Sequence, residues 1–169
     1  MKLSQALRLS PSPCLALVGA GGKTTALFQL ARELTPPVIV TATTHLHIDQ
    51  VNLADFHRVV ERVEDLSGVD KRLRGVTLVT GPVAGDRTTG LNDIILSRLR
   101  EVCVLQNLPL LIEADGARQK PLKAPAEYEP VIPEFIDTVV VVAGMSGFGL
   151  RDLFEVTDPA VREAPKVKF

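Results

Sequence analysis

The chain has 169 residues, 46% of them hydrophobic, enough to bury a core without disulfides or a structural metal. Its 19 basic and 20 acidic side chains nearly cancel, so no global field recruits nucleic acid or an anionic membrane, and any anion site has to be built locally. Cys14 and Cys103 lack CxxC spacing and read as reduced, buried thiols of a cytoplasmic protein, and no run approaches the roughly 20 apolar residues of a membrane span.

Leu3, Ala6 and Leu7 fall at helical spacing and predict a short helix over residues 3–9, stopped by Pro11 and Pro13. Cys14 to Val18 is an unbroken apolar run ending in glycines, the pattern of a strand buried on both faces of a parallel sheet. Residues 24–33 carry Ala26, Leu27, Leu30 and Ala31 on one stripe, which predicts a helix ended by Pro36 and Pro37. Val38 to Thr41 predicts a second buried strand, with the polar residues Thr41 to His47 at its carboxyl end. Residues 54–66 carry a weak helical pattern, Val76 to Thr80 reads as a strand, and residues 85–90 read as a polar loop. Leu91, Ile94, Ile95, Leu99, Val102 and Cys103 define an amphipathic helix over 91–105, with Asn92 and Asp93 near its start. Leu110 to Ile112 leads into Glu113-Ala114-Asp115-Gly116, and Thr138 to Val142 is the most strand-like run of the chain. Strands alternating with helices imply an α/β fold: a mostly parallel sheet with helices on both faces, as in a P-loop NTPase-like three-layer sandwich.

Gly19-Ala20-Gly21-Gly22-Lys23-Thr24-Thr25 sits between the first strand and its helix, the order that phosphate binding needs. The glycines let backbone amides approach phosphate oxygens, Lys23 brings a point charge to the outer phosphates, and Thr24 offers a hydroxyl to magnesium. The spacing is the short G-x-x-G-K-T-T form, because position 17 is Leu where the longer pattern needs Gly. A plain glycine turn is the alternative. A dinucleotide fingerprint is a poorer match, since Gly19 and Gly21 are followed by Thr24 and the lysine would have no task.

Glu113 and Asp115 stand two apart at a strand's carboxyl end and so project to one face. Asp115 is assigned to the metal together with Thr24, and Glu113 to positioning a nucleophile, with Lys23, Glu113 and Asp115 as the catalytic set. Thr44 and His45 are read as lining the substrate cleft; His45 and His47 as metal ligands are a weaker reading, lacking a third ligand. Arg118, Lys120 and Lys123 follow Asp115 closely and suit an anionic substrate, and Arg87 is a further candidate to reach in as a charge-stabilising residue. Lys120 to Pro133 carries Pro121, Pro125, Pro130 and Pro133, which predict a long rigid loop.

Val18 to Thr25, Thr41 to His45, Leu111 to Ala117 and Lys120 to Pro133 together resemble the YqeC-type selenium-dependent hydroxylase accessory proteins, in order and spacing, over roughly residues 1–145. Glu-Ala-Asp-Gly-Ala-Arg followed by Lys-Pro-Leu-Lys-Ala-Pro-Ala-Glu is the specific part; the glycine loop alone is shared with many nucleotide binders. The resemblance implies a cytoplasmic, ATP- or GTP-dependent, magnesium-using protein that helps mature selenium-dependent molybdenum hydroxylases. It further implies a molybdopterin-type cofactor and an apo-hydroxylase as partners, or alternatively a non-catalytic, nucleotide-gated carrier of that cofactor. By position it marks Gly19, Gly21, Gly22, Lys23 and Thr24 as nucleotide contacts, and Glu113, Asp115, Lys120, Lys123 and Glu127 as the second half of the site. Family members continue with a further segment that residues 151–168 do not match well, so the expectation is a single domain over 1–169, truncated at its C-terminus.

Overall fold

A computed structural model describes residues 1–67, 73–115 and 132–144. Among these residues the centre is a six-stranded sheet, in spatial order β4 (Phe56–Val59), β5 (Val76–Thr80), β2 (Val38–Ala42), β8 (Leu110–Glu113), β1 (Cys14–Ala20) and β9 (Thr138–Ala143), every neighbouring pair parallel. The central strands β1 (Cys14–Ala20), β2 (Val38–Ala42), β5 (Val76–Thr80) and β8 (Leu110–Glu113) are buried almost throughout. This is why they read as continuous apolar runs. β4 (Phe56–Val59) and β9 (Thr138–Ala143) close the two edges.

Alternate residues of these strands feed two cores. On one face Leu15, Leu17, Val38, Val40 and Leu111 pack with Leu27 and Leu30 of helix α2 (Lys23–Glu33), and the short helix α1 (Leu3–Ala6) lies beside α2. On the other, Ala16, Ile39, Leu110 and Ile112 pack with Ile95, Leu96, Leu99 and Cys103 of a second long helix, Asp93–Gln106. That helix is capped by the Asn92 side chain, which accepts from the Ile95 amide at 2.9 Å. The architecture is therefore the expected three-layer α/β sandwich.

Two local expectations are overturned. The weak helical pattern over 54–66 gives instead strand β4 and a single 3-10 turn at Val63–Leu66. β4 gains a full ladder with β5, and Asp55 fixes its start by accepting from the Val76 amide and the Arg32 guanidinium. A helix there would leave the edge of β5 unpaired. The polar loop at 85–90 is a hairpin of β6 (Val83–Ala84) and β7 (Arg87–Thr88), turned at Gly85 with φ 63°. β7 also pairs with β3 (Leu46–His47), which runs directly into helix α3 (Ile48–Val51). This makes a second, three-stranded sheet, β3-β7-β6, next to the polar segment that follows β2. The long helix after it is α4.

Candidate functional site

In a parallel sheet the carboxyl ends of all strands share one edge, and here that edge gathers the ends of β1, β2 and β8. The glycines at the end of β1 have different causes. Gly19 (φ 98°) lies against β9, where any Cβ would run into the backbone carbonyl of Val142; its lack of a side chain serves the sheet. Ala20 is likewise in the ladder, opposite Ala143. Gly21 and Gly22 make the turn into α2 with φ of 75° and 106°, conformations that L side chains rarely adopt. A Cβ on Gly22 would meet open space. Gly22 is also the N-cap of α2 and supplies no side-chain cap, so the first amides of the helix have neither an intrahelical partner nor a capping side chain. Thr25 is exposed in that first turn.

Lys23 is buried, with its ammonium 2.8 Å from Asp115 Oδ1 and 3.9 Å from Glu113 Oε1. The contact with Asp115 is an ion pair out of line for a good hydrogen bond; the aligned bond from Nζ goes to the Gly19 carbonyl at 2.8 Å. Asp115 Oδ2 in turn accepts from the Gly19 amide at 2.8 Å. Asp115 thus holds both the lysine and the first glycine of the loop. The Thr24 hydroxyl donates to Glu113 Oε2 at 2.7 Å, so the carboxylate beside it is Glu113, whereas the sequence pairs Thr24 with Asp115. Burial pushes the Glu113 carboxyl above its usual range, and the Asp115 charge adds to this; the Thr24 hydrogen bond and the Lys23 charge oppose it.

A residue that the sequence did not single out completes the group. Gln50 Nε2 donates to Thr24 Oγ1 at 2.9 Å, while its Oε1 accepts from the His47 amide at 2.8 Å. No motif marks Gln50; its only signal is a polar side chain soon after the Thr41–His47 segment. Thr43 ties that segment to β8, its amide donating to the Glu113 carbonyl at 3.0 Å. Thr44 has a buried hydroxyl with no partner among the described residues. His45 is exposed, with Nδ1 3.1 Å from the Thr88 carbonyl, and His47 lies nearest Asp49 and Asp86. Arg87 is exposed on β7. Among the described residues no three or more His, Cys, Asp or Glu side chains are placed to hold a metal on their own. Gly116, Arg118, Lys120, Lys123 and Glu127 lie outside the described residues.

The site can therefore do two things chemically. It offers amides and one lysine to an anion at the start of α2, and a hydroxyl with an adjoining carboxylate to a hard cation. Cys14 and Cys103 are buried free thiols away from this chemistry, pushed up to about 11 and about 12 by burial. No helix among the described residues is long and apolar enough to cross a membrane.

Comparison with known proteins gives no solved structure that matches. The chain is 32% identical over 144 residues to the "Uncharacterized protein YqeC" of Escherichia coli (strain K12), covering 81% of this chain and 54% of that protein. It thus spans about half the length of the curated relative it matches. The model of the YqeC protein family matches residues 15–152, which takes in the glycine turn, Lys23, Gln50 and both carboxylates. On the length of that match and the identity to its relative, the chain belongs to the YqeC family.

Proposed function

We propose that the junction of β1 and α2 binds a nucleoside triphosphate with magnesium. We further propose that the chain serves, ATP- or GTP-dependently, as an accessory protein in the maturation of selenium-dependent molybdenum hydroxylases. The supporting observation is the convergence of Lys23, Thr24, Glu113 and Asp115 on a helix N-terminus that is uncapped and opened by Gly22. Phosphate oxygens would accept from the first-turn amides, where the helix dipole also favours negative charge. Lys23, drawn off Asp115, would reach the outer phosphates, and Asp115 would keep its bond to the Gly19 amide.

The donor set fits magnesium, which takes one or two protein oxygens and fills its shell with water and phosphate. Thr24 Oγ1 would ligate it, and Glu113 would hold the Thr24 proton or a metal-bound water; the roles of Glu113 and Asp115 are then exchanged relative to the sequence-based assignment. When bound, magnesium supplies charge neutralisation between two phosphates. The molybdopterin-type partner rests on family resemblance and on the cations of residues 118–123, and the apo-hydroxylase on the resemblance alone.

Thermal unfolding with ATP or GTP, with and without magnesium, tests the nucleotide reading. Stabilisation by at least one nucleotide is expected, lost in Lys23→Ala. Glu113→Gln should lose the increment due to magnesium while Asp115→Asn retains it; the opposite pattern would return the metal to Asp115. The maturation role is tested by adding protein and nucleotide to an apo-hydroxylase, where recovery of hydroxylase activity is expected and no recovery counts against the role. Covalent change in a pterin substrate would mark an enzyme, and nucleotide turnover only with apo-hydroxylase would mark a carrier.

A further inference from the structure

We propose that Gln50 is a positioning residue that couples the small sheet β3-β7-β6 to occupancy of the metal side of the site. The inference rests on the nucleotide and magnesium reading above. A threonine hydroxyl has one proton and two lone pairs. At Thr24 the proton goes to Glu113 Oε2 at 2.7 Å, and the Gln50 amide, 2.9 Å away, takes a lone pair. The second lone pair remains for a cation, but the cation's charge repels the positive end of an N–H aimed at the same atom. Gln50 and the metal therefore compete at Thr24 Oγ1.

What Gln50 holds at its other end gives the competition a consequence. Its Oε1 accepts from the His47 amide at 2.8 Å. His47 is in β3, opposite Arg87 of β7, and the next amide, Ile48, donates to the Asp86 carbonyl in the hairpin turn at 2.8 Å. One primary amide thus bridges the Thr24 hydroxyl and the backbone of the strand that carries the hairpin. Without metal, Gln50 is fixed at both ends and the β3 backbone is anchored to α2. With metal on Thr24 the anchor is released, and the hairpin that carries the exposed Arg87 is joined to β3 only by a two-pair ladder and the Ile48–Asp86 bond. The hairpin, with Arg87 on it, then follows the bound state of the site.

The test is amide hydrogen exchange of the full chain, read at His47 and Ile48 in three states: ligand-free, with a non-hydrolysable ATP or GTP analogue alone, and with the analogue plus magnesium. Exchange at His47 is expected to rise about tenfold only in the third state, because a Gln50 side chain no longer tethered to Thr24 keeps its Oε1 on the His47 amide for less of the time. Gln50→Leu should exchange quickly at His47 in all three, and should lower the magnesium concentration for half-maximal stabilisation about fivefold by removing the competitor. Gln50→Glu keeps an acceptor for His47 but cannot donate to Thr24, so its His47 exchange should already be raised without ligand, which separates loss of the Thr24 contact from loss of the His47 contact; its added carboxylate attracts magnesium, so the midpoint is read in Gln50→Leu. Nucleotide stabilisation with unchanged His47 exchange, or with an unchanged magnesium midpoint in Gln50→Leu, overturns the role of Gln50 alone. No stabilisation by any nucleotide overturns the nucleotide reading and this inference together.

Discussion

Replacing Asp115 by Asn keeps the size of the side chain and an oxygen for the Gly19 amide, but removes the charge that faces the Lys23 ammonium at 2.8 Å. The two side chains are only 3% and 7% exposed, so water cannot take the lost partner's place. Removing one member of a buried pair costs about 3–5 kcal/mol. Lys23 retains the Gly19 carbonyl at 2.8 Å and the Glu113 carboxylate at 3.9 Å, which puts the cost at the lower end of that range, about 3 kcal/mol. For a domain of this size that corresponds to a fall in Tm of roughly 6–12 °C. Lys23→Met should cost a similar amount by stranding Asp115. If the charges compensate each other, the double variant should be at least ~2 kcal/mol more stable than the sum of the single effects implies. Urea unfolding of the four proteins without nucleotide measures this. Effects that add to within about 0.5 kcal/mol would refute the coupling of the pair.

The two glycines of the turn should respond differently to the same substitution. Gly19→Ala is expected to destabilise the fold severely through the Val142 backbone, whereas Gly22→Ala should cost about 1–2 kcal/mol of backbone strain, yet abolish nucleotide-dependent stabilisation; thermal unfolding with and without nucleotide separates them. The pH dependence of ligand-free stability should carry a contribution from Glu113. Its folded-state carboxyl titrates above the unfolded one, so this contribution is present at low pH and is lost as pH rises beyond the ordinary carboxylate range through the raised value. Glu113→Gln should flatten that part of the curve; an unchanged profile would contradict the burial argument. Cys14 and Cys103 should resist a thiol-specific reagent in the native protein near neutral pH and react in urea, and fast native labelling would contradict their burial.

The parts of the fold legible in the sequence are those where burial alone dictates composition. Cys14 to Val18, Val38 to Thr41 and Leu110 to Ile112 are apolar because both faces of each strand are covered, and α2 and α4 carry a stripe because one face is. β4 was hidden because its register is set from outside: Asp55 reaches Val76 and Arg32, and the half-exposed residues 56–59 pair with β5. β3 and β7 have two residues each, too short to leave a periodic signal. At the site, the glycine turn, Lys23, Thr24 and the two carboxylates were readable from order along the chain. The pairing of Thr24 with Glu113 was not, since two carboxylates at i and i+2 share a face and only the packing of α2 against β8 selects between them. Gln50 was invisible for the same reason, reaching Thr24 from a different part of the chain.

Calorimetric titration of ATP and of GTP, each with magnesium, into the protein and into Lys23→Ala tests the central claim most directly. Binding of at least one nucleotide by the parent chain is expected, at least tenfold weaker in Lys23→Ala and strengthened by magnesium only while Thr24 and Glu113 are intact. No heat with either nucleotide, or equal affinity in Lys23→Ala, would contradict it.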